Sequence, residues 1–240
     1  MKCGSKSNGR YAKTKELMNG TMQKKYKCAI FDLDGTLIDS MWLWEAVDRE
    51  FFEKRGIPYP EDYMTIVATM GVDKMARYTI ERFGLADSPD EVIAEWRAMS
   101  EEAYRTKIHL KPGARAFLEY LRENGIPMAL ASVSPRHQVE AALTSNGIGS
   151  YFSEVATVED VSRPKGFPDI YEFVAKKLGF APADCLVFED LAVAIEGARM
   201  GGFSAVAVTD PASASEEDRK RELSLCMVDR LDEVIAMNLF

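Results

Sequence analysis

The sequence is poor in histidine and cysteine, and its cysteines lie far apart. It contains two histidines and four cysteines in 240 residues, without a CxxC pair or a Cys/His cluster. Zinc sites need such ligands at close spacing, so the pattern argues against zinc. Cys28 and Cys185 lie within apolar runs and are interpreted as small core residues. This usage is typical of a reduced, cytoplasmic protein.

Long apolar segments are also missing. No stretch approaches the roughly 18 apolar residues of a transmembrane helix, so we expect no membrane span and no membrane partner. The N-terminal region carries no apolar stretch of the kind that a secretory signal requires.

Positive charge is scarce outside the N-terminal region. The formal net charge is -8, and residues 1–27 hold eight Lys or Arg against one acid, so the remainder carries -15. Phosphate backbones are bound by clustered Lys and Arg, so we expect no nucleic-acid partner. We interpret residues 1–24 as a basic flexible tail, and an organelle transit peptide is the alternative.

Short apolar runs alternate with amphipathic helical segments after the tail. We predict buried strands at residues 27–33, 126–132, 152–157, 185–190 and 203–210. Near-continuous apolar runs of this length are typical of a parallel sheet that is covered on both faces. A helix follows the second strand, with Ser134 as its predicted N-cap and Pro135 at its first position. The alternation predicts an α/β fold with a doubly wound parallel sheet of Rossmann-like type.

Residues 41–107 interrupt this alternation. They contain no strand candidate and several helical patterns, of which the last opens with a capping box from Ser88 to Glu91. We predict an inserted all-helical cap domain at 41–107, above the carboxyl edge of a core domain formed by residues 25–40 and 108–240.

The stretch "CAIFDLDGTLIDS" at residues 28–40 ends a buried strand with two acids. Side chains at positions i and i+2 of a strand point the same way, so Asp32 and Asp34 are expected at the carboxyl end of the first strand, where parallel sheets bind ligands. Two carboxylates this close favour a cation such as Mg²⁺. Gly35 and Thr36 allow a sharp turn there. An ordinary strand–turn junction is the alternative.

The segment "DLDGTLIDS" resembles the first motif of the haloacid dehalogenase-like (HAD-like) phosphohydrolases. The other three motifs of that family have candidates in the same order along the chain. These are Ser132 in "ALASVS", Lys165 in "RPKGFPDIY", and Glu189 with Asp190 in "VFED". Each is unremarkable alone, as a small residue, a loop lysine or helix-start acids. Their order, each at the end of a predicted strand, is what carries the resemblance from about Lys27 to the C-terminus.

The resemblance implies a role for each of these residues. Asp32 would be the nucleophile and Asp34 the general acid and base. Lys165 would hold a phosphate oxygen and the nucleophile's charge, and Ser132 would bind another phosphate oxygen. The implied Mg²⁺ ligands are Asp32, Asp34 through its carbonyl, Asp190 and the nearby Glu189. Phosphate-binding groups would also come from Gly35, Thr36 and the backbone at Val133.

The helical insert resembles the cap of the β-phosphoglucomutase-like branch. Its segment "TMGVDK" puts Lys74 where that branch contacts substrate, and a solvated lysine is the alternative. Trp44 stands where a mutase of the branch is expected to have a proton-transferring histidine, which favours a phosphatase over a mutase. Trp44 is predicted to line the substrate pocket, with packing inside the cap as the alternative.

The sequence also departs from the family pattern at three positions. Leu191 and Ala194 replace a small hydroxyl residue and a glycine, and Gly166 replaces a proline after the lysine. We expect less defined hydrogen bonding around Asp190 and a less rigid loop at Lys165.

These expectations favour a Mg²⁺-dependent phosphatase that acts on a small-molecule phosphate ester, such as a sugar phosphate, as a monomer or weak homodimer. A sugar-phosphate mutase is the alternative. A dehalogenase is disfavoured because that chemistry needs no second acid at Asp34, and a non-catalytic metabolite sensor is disfavoured because every motif has an intact candidate.

Overall fold

The computed structural model describes residues 25–67 and 70–240. It divides into an α/β unit, made of the described residues up to Asp39 with His109–Phe240, and a helical unit, Ser40–Ile108. Each boundary of the helical unit lies one residue outside the predicted cap domain. The predicted tail at residues 1–24 lies outside the described residues.

The α/β unit contains a parallel sheet. Its strands are β1 (Cys28–Phe31), β2 (Met128–Ala131), β3 (Glu154–Ala156), β4 (Cys185–Glu189), β5 (Ser204–Val208) and β6 (Met227–Val228). They lie in the order β3-β2-β1-β4-β5-β6, and all neighbouring pairs are parallel. The chain therefore winds outwards in both directions from β1 and β4, and the prediction of a doubly wound α/β fold is confirmed.

Helices account for most of the remaining regular structure. The helical unit holds α1 (Leu43–Lys54), α2 (Tyr63–Val67), α3 (Val72–Phe83) and α4 (Pro89–Thr106). The α/β unit holds α5 (Ala114–Glu123), α6 (Arg136–Ser145), α7 (Asp169–Leu178), α8 (Ala192–Met200) and α9 (Glu217–Leu223). Over the described residues, no helix combines the length and the apolar character that a membrane crossing would require.

Alternating side chains of β1 and β4 cover the two faces of the sheet. On one face, Ile30 and Val187 join a core with Tyr171 of α7. On the other, the register partners Phe31 and Phe188 stack with ring centroids 4.7 Å apart. Burial of each such side chain contributes about 1.5–3 kcal/mol. The same alternation directs the next residues, Asp32 and Glu189, towards the face that α7 covers.

The first strand ends earlier than predicted. The apolar pattern extends to Leu33, but β1 stops at Phe31. The Leu33 carbonyl accepts the backbone N–H groups of Leu37 and Ile38, at 2.9 and 3.0 Å, so the chain has already turned there. The predicted strand is therefore wrong at its end. Asp32 directly follows β1, with its N–H donating to the Phe188 carbonyl at 3.0 Å, and Asp34 immediately precedes the turn at residues 35–37.

The helical unit has an aromatic core, and its last helix begins with a capping box. The predicted capping box is confirmed, since Glu91 N–H donates to the Ser88 hydroxyl and Ser88 N–H donates to the Glu91 carboxylate. The Phe52 ring lies 4.9 Å from Tyr63 and 4.8 Å from Phe83. These contacts join α1, α2 and α3.

Asp48 of α1 is buried in this unit, and burial raises the pKa of its carboxyl to about 7, with a smaller contribution from Glu45. Well below pH 4 the group is protonated whether the protein is folded or unfolded. As the pH rises to about 7 only the unfolded state ionises, so stability falls, and above that range the full penalty is of the order of 4 kcal/mol.

We therefore predict that Asp48→Asn raises the thermal unfolding midpoint near pH 8 and leaves it almost unchanged near pH 4. Circular dichroism melts across this range measure the effect. Glu53→Gln, which removes an exposed acid from the same helix, is the matched control. Equal pH dependence of the Asp48 variant and the wild type would contradict the prediction.

Candidate active site

The predicted motif residues meet at one edge of the sheet. Asp32 follows β1, Ser132 follows β2, and Glu189 and Asp190 end and follow β4. Because β1 and β4 are parallel neighbours from which the chain winds in opposite directions, their carboxyl ends border the crevice where such sheets bind ligands.

A buried lysine joins two of these acids. The Lys165 ammonium donates to Asp32 Oδ1 and, at 2.6 Å, to Glu189 Oε1. Lys165 is 7% exposed, and Glu189 is 1% exposed. A buried ammonium is tolerated only when acceptors replace its water, so this pairing fixes Lys165 between the ends of β1 and β4.

Negative charge exceeds the single positive charge of Lys165. Oxygens of Asp32, Glu189 and Asp190 lie within 4.8 Å of one another. Burial raises the pKa of the Asp32 carboxyl well above its usual value. The Lys165 ammonium opposes this rise, and the neighbouring carboxylates add to it. Burial, followed by the Glu189 charge, raises the pKa of Asp190 to about 7.

The acidic cluster fits a divalent metal ion. Asp190 Oδ1 accepts the Thr36 hydroxyl at 3.4 Å, while the buried Asp190 Oδ2 has no hydrogen-bond partner among the described residues. A buried carboxylate oxygen without a donor is costly unless a cation occupies its lone pairs. Oxygen donors of this kind are the ligands that Mg²⁺ prefers.

Tyr171 of α7 also belongs to the site and was missed in the sequence. Its hydroxyl donates to Glu189 Oε1 at 2.6 Å, so this oxygen accepts from both Tyr171 and Lys165. The available signal was helical spacing, because Ile170, Tyr171 and Val174 form the buried face of α7. A tyrosine on such a face needs a partner for its hydroxyl.

Ser134 contacts the second acid. Its hydroxyl donates to Asp34 Oδ2 at 2.7 Å, and its backbone N–H donates to Ser132 Oγ at 3.0 Å. The prediction that Ser134 caps the helix is wrong, because Pro135 is the N-cap and α6 begins at Arg136. The extended backbone of Pro135 places Ser134 one residue too early to cap, and its hydroxyl pairs with the charged Asp34 instead.

The predicted phosphate-binding residues differ in their burial. Gly35 has a φ of 78°, its N–H donates to the Ile38 carbonyl, and its carbonyl accepts from the Lys111 ammonium at 2.7 Å. Thr36 is completely buried. Val133 is 50% exposed.

In the helical unit, Lys74 on α3 and Trp44 on α1 are exposed, and their roles stay predictions.

Gly197 of α8 allows a close approach to the lysine loop. A Cβ atom at this position would lie 2.1 Å from the Lys165 carbonyl oxygen and 2.8 Å from the Gly166 carbonyl carbon. Such distances are far inside van der Waals contact. The backbone beside Lys165 is therefore supported by α8, although Gly166 replaces the proline of the family pattern.

We predict that Gly197→Ala destabilises the protein by about 1–3 kcal/mol and lowers activity, because the Lys165 loop must shift. Helix propensity alone would give the opposite sign, a gain of about 1 kcal/mol. Denaturant unfolding measures the stability. Gly149→Ala, whose new methyl would meet only Leu143 at 3.8 Å, is the control, and a stabilised Gly197 variant would contradict the prediction.

Comparison with known proteins identifies the family. The sequence matches the family described as haloacid dehalogenase-like hydrolase over residues 26–202. The chain belongs to this family of hydrolases, which confirms the resemblance found in its motifs.

Several curated relatives carry phosphatase names. A Drosophila melanogaster protein named "Probable pseudouridine-5'-phosphatase" is 30% identical over 84% of this chain and 89% of its own length. Hexitol phosphatase B of Escherichia coli strain K12 is 29% identical over 88% and 95%. The bifunctional riboflavin kinase/FMN phosphatase of Arabidopsis thaliana is 32% identical over 80% of this chain, which spans only half of that protein.

Solved structures share the fold. A Thermotoga maritima protein provisionally named a β-phosphoglucomutase has a TM-score of 0.76 at 24% identity, over 87% of this chain and 96% of that one. CbbY from Rhodobacter sphaeroides, solved in complex with phosphate, has a TM-score of 0.70 at 20% identity, over 89% and 100%. At these identities the likeness concerns the fold alone.

Proposed function

We propose that this protein is a Mg²⁺-dependent phosphatase that hydrolyses small phosphorylated metabolites, such as sugar phosphates, through an aspartyl-phosphate on Asp32. The observation that carries the proposal is the Asp32 carboxylate held by buried Lys165 within an acidic cluster at the carboxyl edge of a parallel sheet. The phosphatase names of the relatives support the same reaction class.

In the first step, an Asp32 carboxylate oxygen attacks phosphorus and the bond to the ester oxygen breaks. Asp34 gives its proton to the departing oxygen, which leaves as an alcohol. The Lys165 ammonium, which already donates to Asp32, stabilises the transferring phosphoryl group. Ser132 Oγ accepts the Ser134 N–H, so its own proton remains available for a phosphate oxygen.

In the second step, Asp34 takes a proton from water, and the water oxygen attacks phosphorus. The phosphorus–Asp32 bond breaks, which releases inorganic phosphate and restores the Asp32 carboxylate. The hydrogen bond from Ser134 to Asp34 Oδ2 supports this role because it orients the carboxylate. Asp34 thus acts as an acid and then as a base in one cycle.

The proposed Mg²⁺ would be held by carboxylates of Asp32 and Asp190, the Asp34 carbonyl and the nearby Glu189. The unpaired Asp190 Oδ2 supports this donor set. When bound, Mg²⁺ supplies charge neutralisation between the phosphate oxygens and the acidic cluster. We also propose that the helical unit is the cap domain and that its residues Lys74 and Trp44 contact the substrate.

A sugar-phosphate mutase would use the same Asp32 and return the phosphoryl group to a sugar. Trp44 cannot carry the proton that this reaction requires, which favours hydrolysis. A panel of phosphorylated metabolites, assayed for inorganic phosphate and for isomerised sugar phosphate, separates the two. Phosphate release without isomer supports the phosphatase, and isomer formation would replace it with the mutase.

We predict that Asp32→Asn lowers phosphate release at least about 10³-fold, because an amide oxygen is a poor nucleophile. The variant keeps the wild-type fold by circular dichroism. Asp229→Asn, which changes an exposed aspartate on the same unit, is expected to retain activity. Full hydrolysis by the Asp32 variant would exclude the covalent mechanism.

We predict that chelation of Mg²⁺ silences the enzyme and that Ca²⁺ restores activity poorly, because Ca²⁺ takes more ligands in looser geometry. Phosphate release is measured after dialysis against chelator and after addition of each ion. Undiminished activity in excess chelator would contradict the proposed metal dependence.

A further inference from the structure

The backbone of Asp190 is bonded to a segment that lies outside the four family motifs. After β5 the chain forms a short 3-10 segment, Pro211–Glu216, which leads into α9. Ser213 of this segment is buried, and its hydroxyl donates to the Asp190 carbonyl at 3.0 Å. The backbone of a candidate metal ligand is thus connected to a residue 23 positions later.

Buried Lys220 determines which way the Ser213 hydroxyl points. The Lys220 side chain is completely buried in α9, and its ammonium donates to Ser213 Oγ at 3.0 Å. An ammonium can only donate, so Ser213 Oγ must accept, and its single proton is left for a carbonyl. The Asp190 carbonyl, at 3.0 Å, is nearer than the Asp210 carbonyl, at 3.4 Å.

The same segment also caps the N-terminus of α8, the helix that follows Asp190. Leu191 is the N-cap of α8 and provides no capping side chain. Instead, the Glu216 carboxylate accepts the Ala192 N–H at 2.8 Å. Where the family pattern has a small hydroxyl residue, this chain therefore receives its capping acceptor from a distant segment.

We propose that Ser213 is a positioning residue for Asp190, with its hydroxyl aligned by Lys220, and that it thereby sets the affinity of the acidic cluster for a divalent cation. The inference rests on the proposed Mg²⁺ site. Residues that orient metal ligands typically change metal affinity about 10–100-fold when they are removed. Ser213 touches neither the substrate nor the ion in this proposal.

Isothermal titration calorimetry with MgCl₂ tests the proposal without any turnover. Ser213→Ala is expected to raise the Mg²⁺ Kd about tenfold, and Ser213→Thr, which keeps the hydroxyl, to stay within about twofold of wild type. Ser224→Ala is the matched control, because Ser224 is a buried serine whose hydroxyl donates to the Lys220 carbonyl at 2.7 Å. It is expected to leave the Mg²⁺ Kd unchanged.

The outcomes separate this inference from the proposed function. An unchanged Kd in Ser213→Ala, with normal Mg²⁺ binding by the wild type, overturns the positioning role alone. Absence of saturable Mg²⁺ binding by the wild type overturns the metal site and this inference with it. If Ser213→Ala does not fold, Ser213→Cys keeps the volume with only a weak donor, and wild-type affinity in that variant overturns the role.

Discussion

A buried ammonium between two carboxylates organises the site. Lys165 can remain out of water only because Asp32 and Glu189 accept hydrogen bonds from its ammonium, and this requirement brings the loop before α7 against the ends of β1 and β4. Tyr171 donates to the same Glu189 oxygen and fixes it further. Loss of either acid would leave the buried ammonium with one charged partner instead of two, so the arrangement is maintained by the cost of breaking it rather than by a large net gain.

The sheet explains why these groups meet. In the order β3-β2-β1-β4-β5-β6, the central neighbours β1 and β4 carry the chain in opposite directions, so the loops that follow them diverge and leave a crevice. The stack of Phe31 on its register partner Phe188 aligns the two strand ends, and Asp32 and Glu189 follow immediately. Packing on one face thus determines the spacing of charges on the other.

Two of the site residues could be found from the sequence by a change in hydrophobicity. Asp32 and Glu189 end apolar runs, where a change in polarity marks the end of a strand. Ser213 and Lys220 gave no such signal, because they lie in the polar stretch "SASEEDRKREL", which is typical of a solvated helix. Their burial depends on where the chain returns after β5, and that is a tertiary property. The end of β1 was predicted too late because hydrophobicity continues to Leu33, whereas β1 ends at Phe31 and the Asp32 N–H donates the following backbone hydrogen bond, to the Phe188 carbonyl.

Three largely buried lysines of the described α/β unit differ in their hydrogen-bond partners. Lys165 neutralises carboxylates of the cluster. Lys111 instead donates to the Gly35 and Thr209 carbonyls and to Asp210, and Lys220 donates to Ser213. The latter two therefore hydrogen-bond to groups beside the cluster and not to its carboxylates. The cluster thus has three carboxylates and a single ammonium hydrogen-bonded to two of them, an excess of negative charge that a divalent cation would balance.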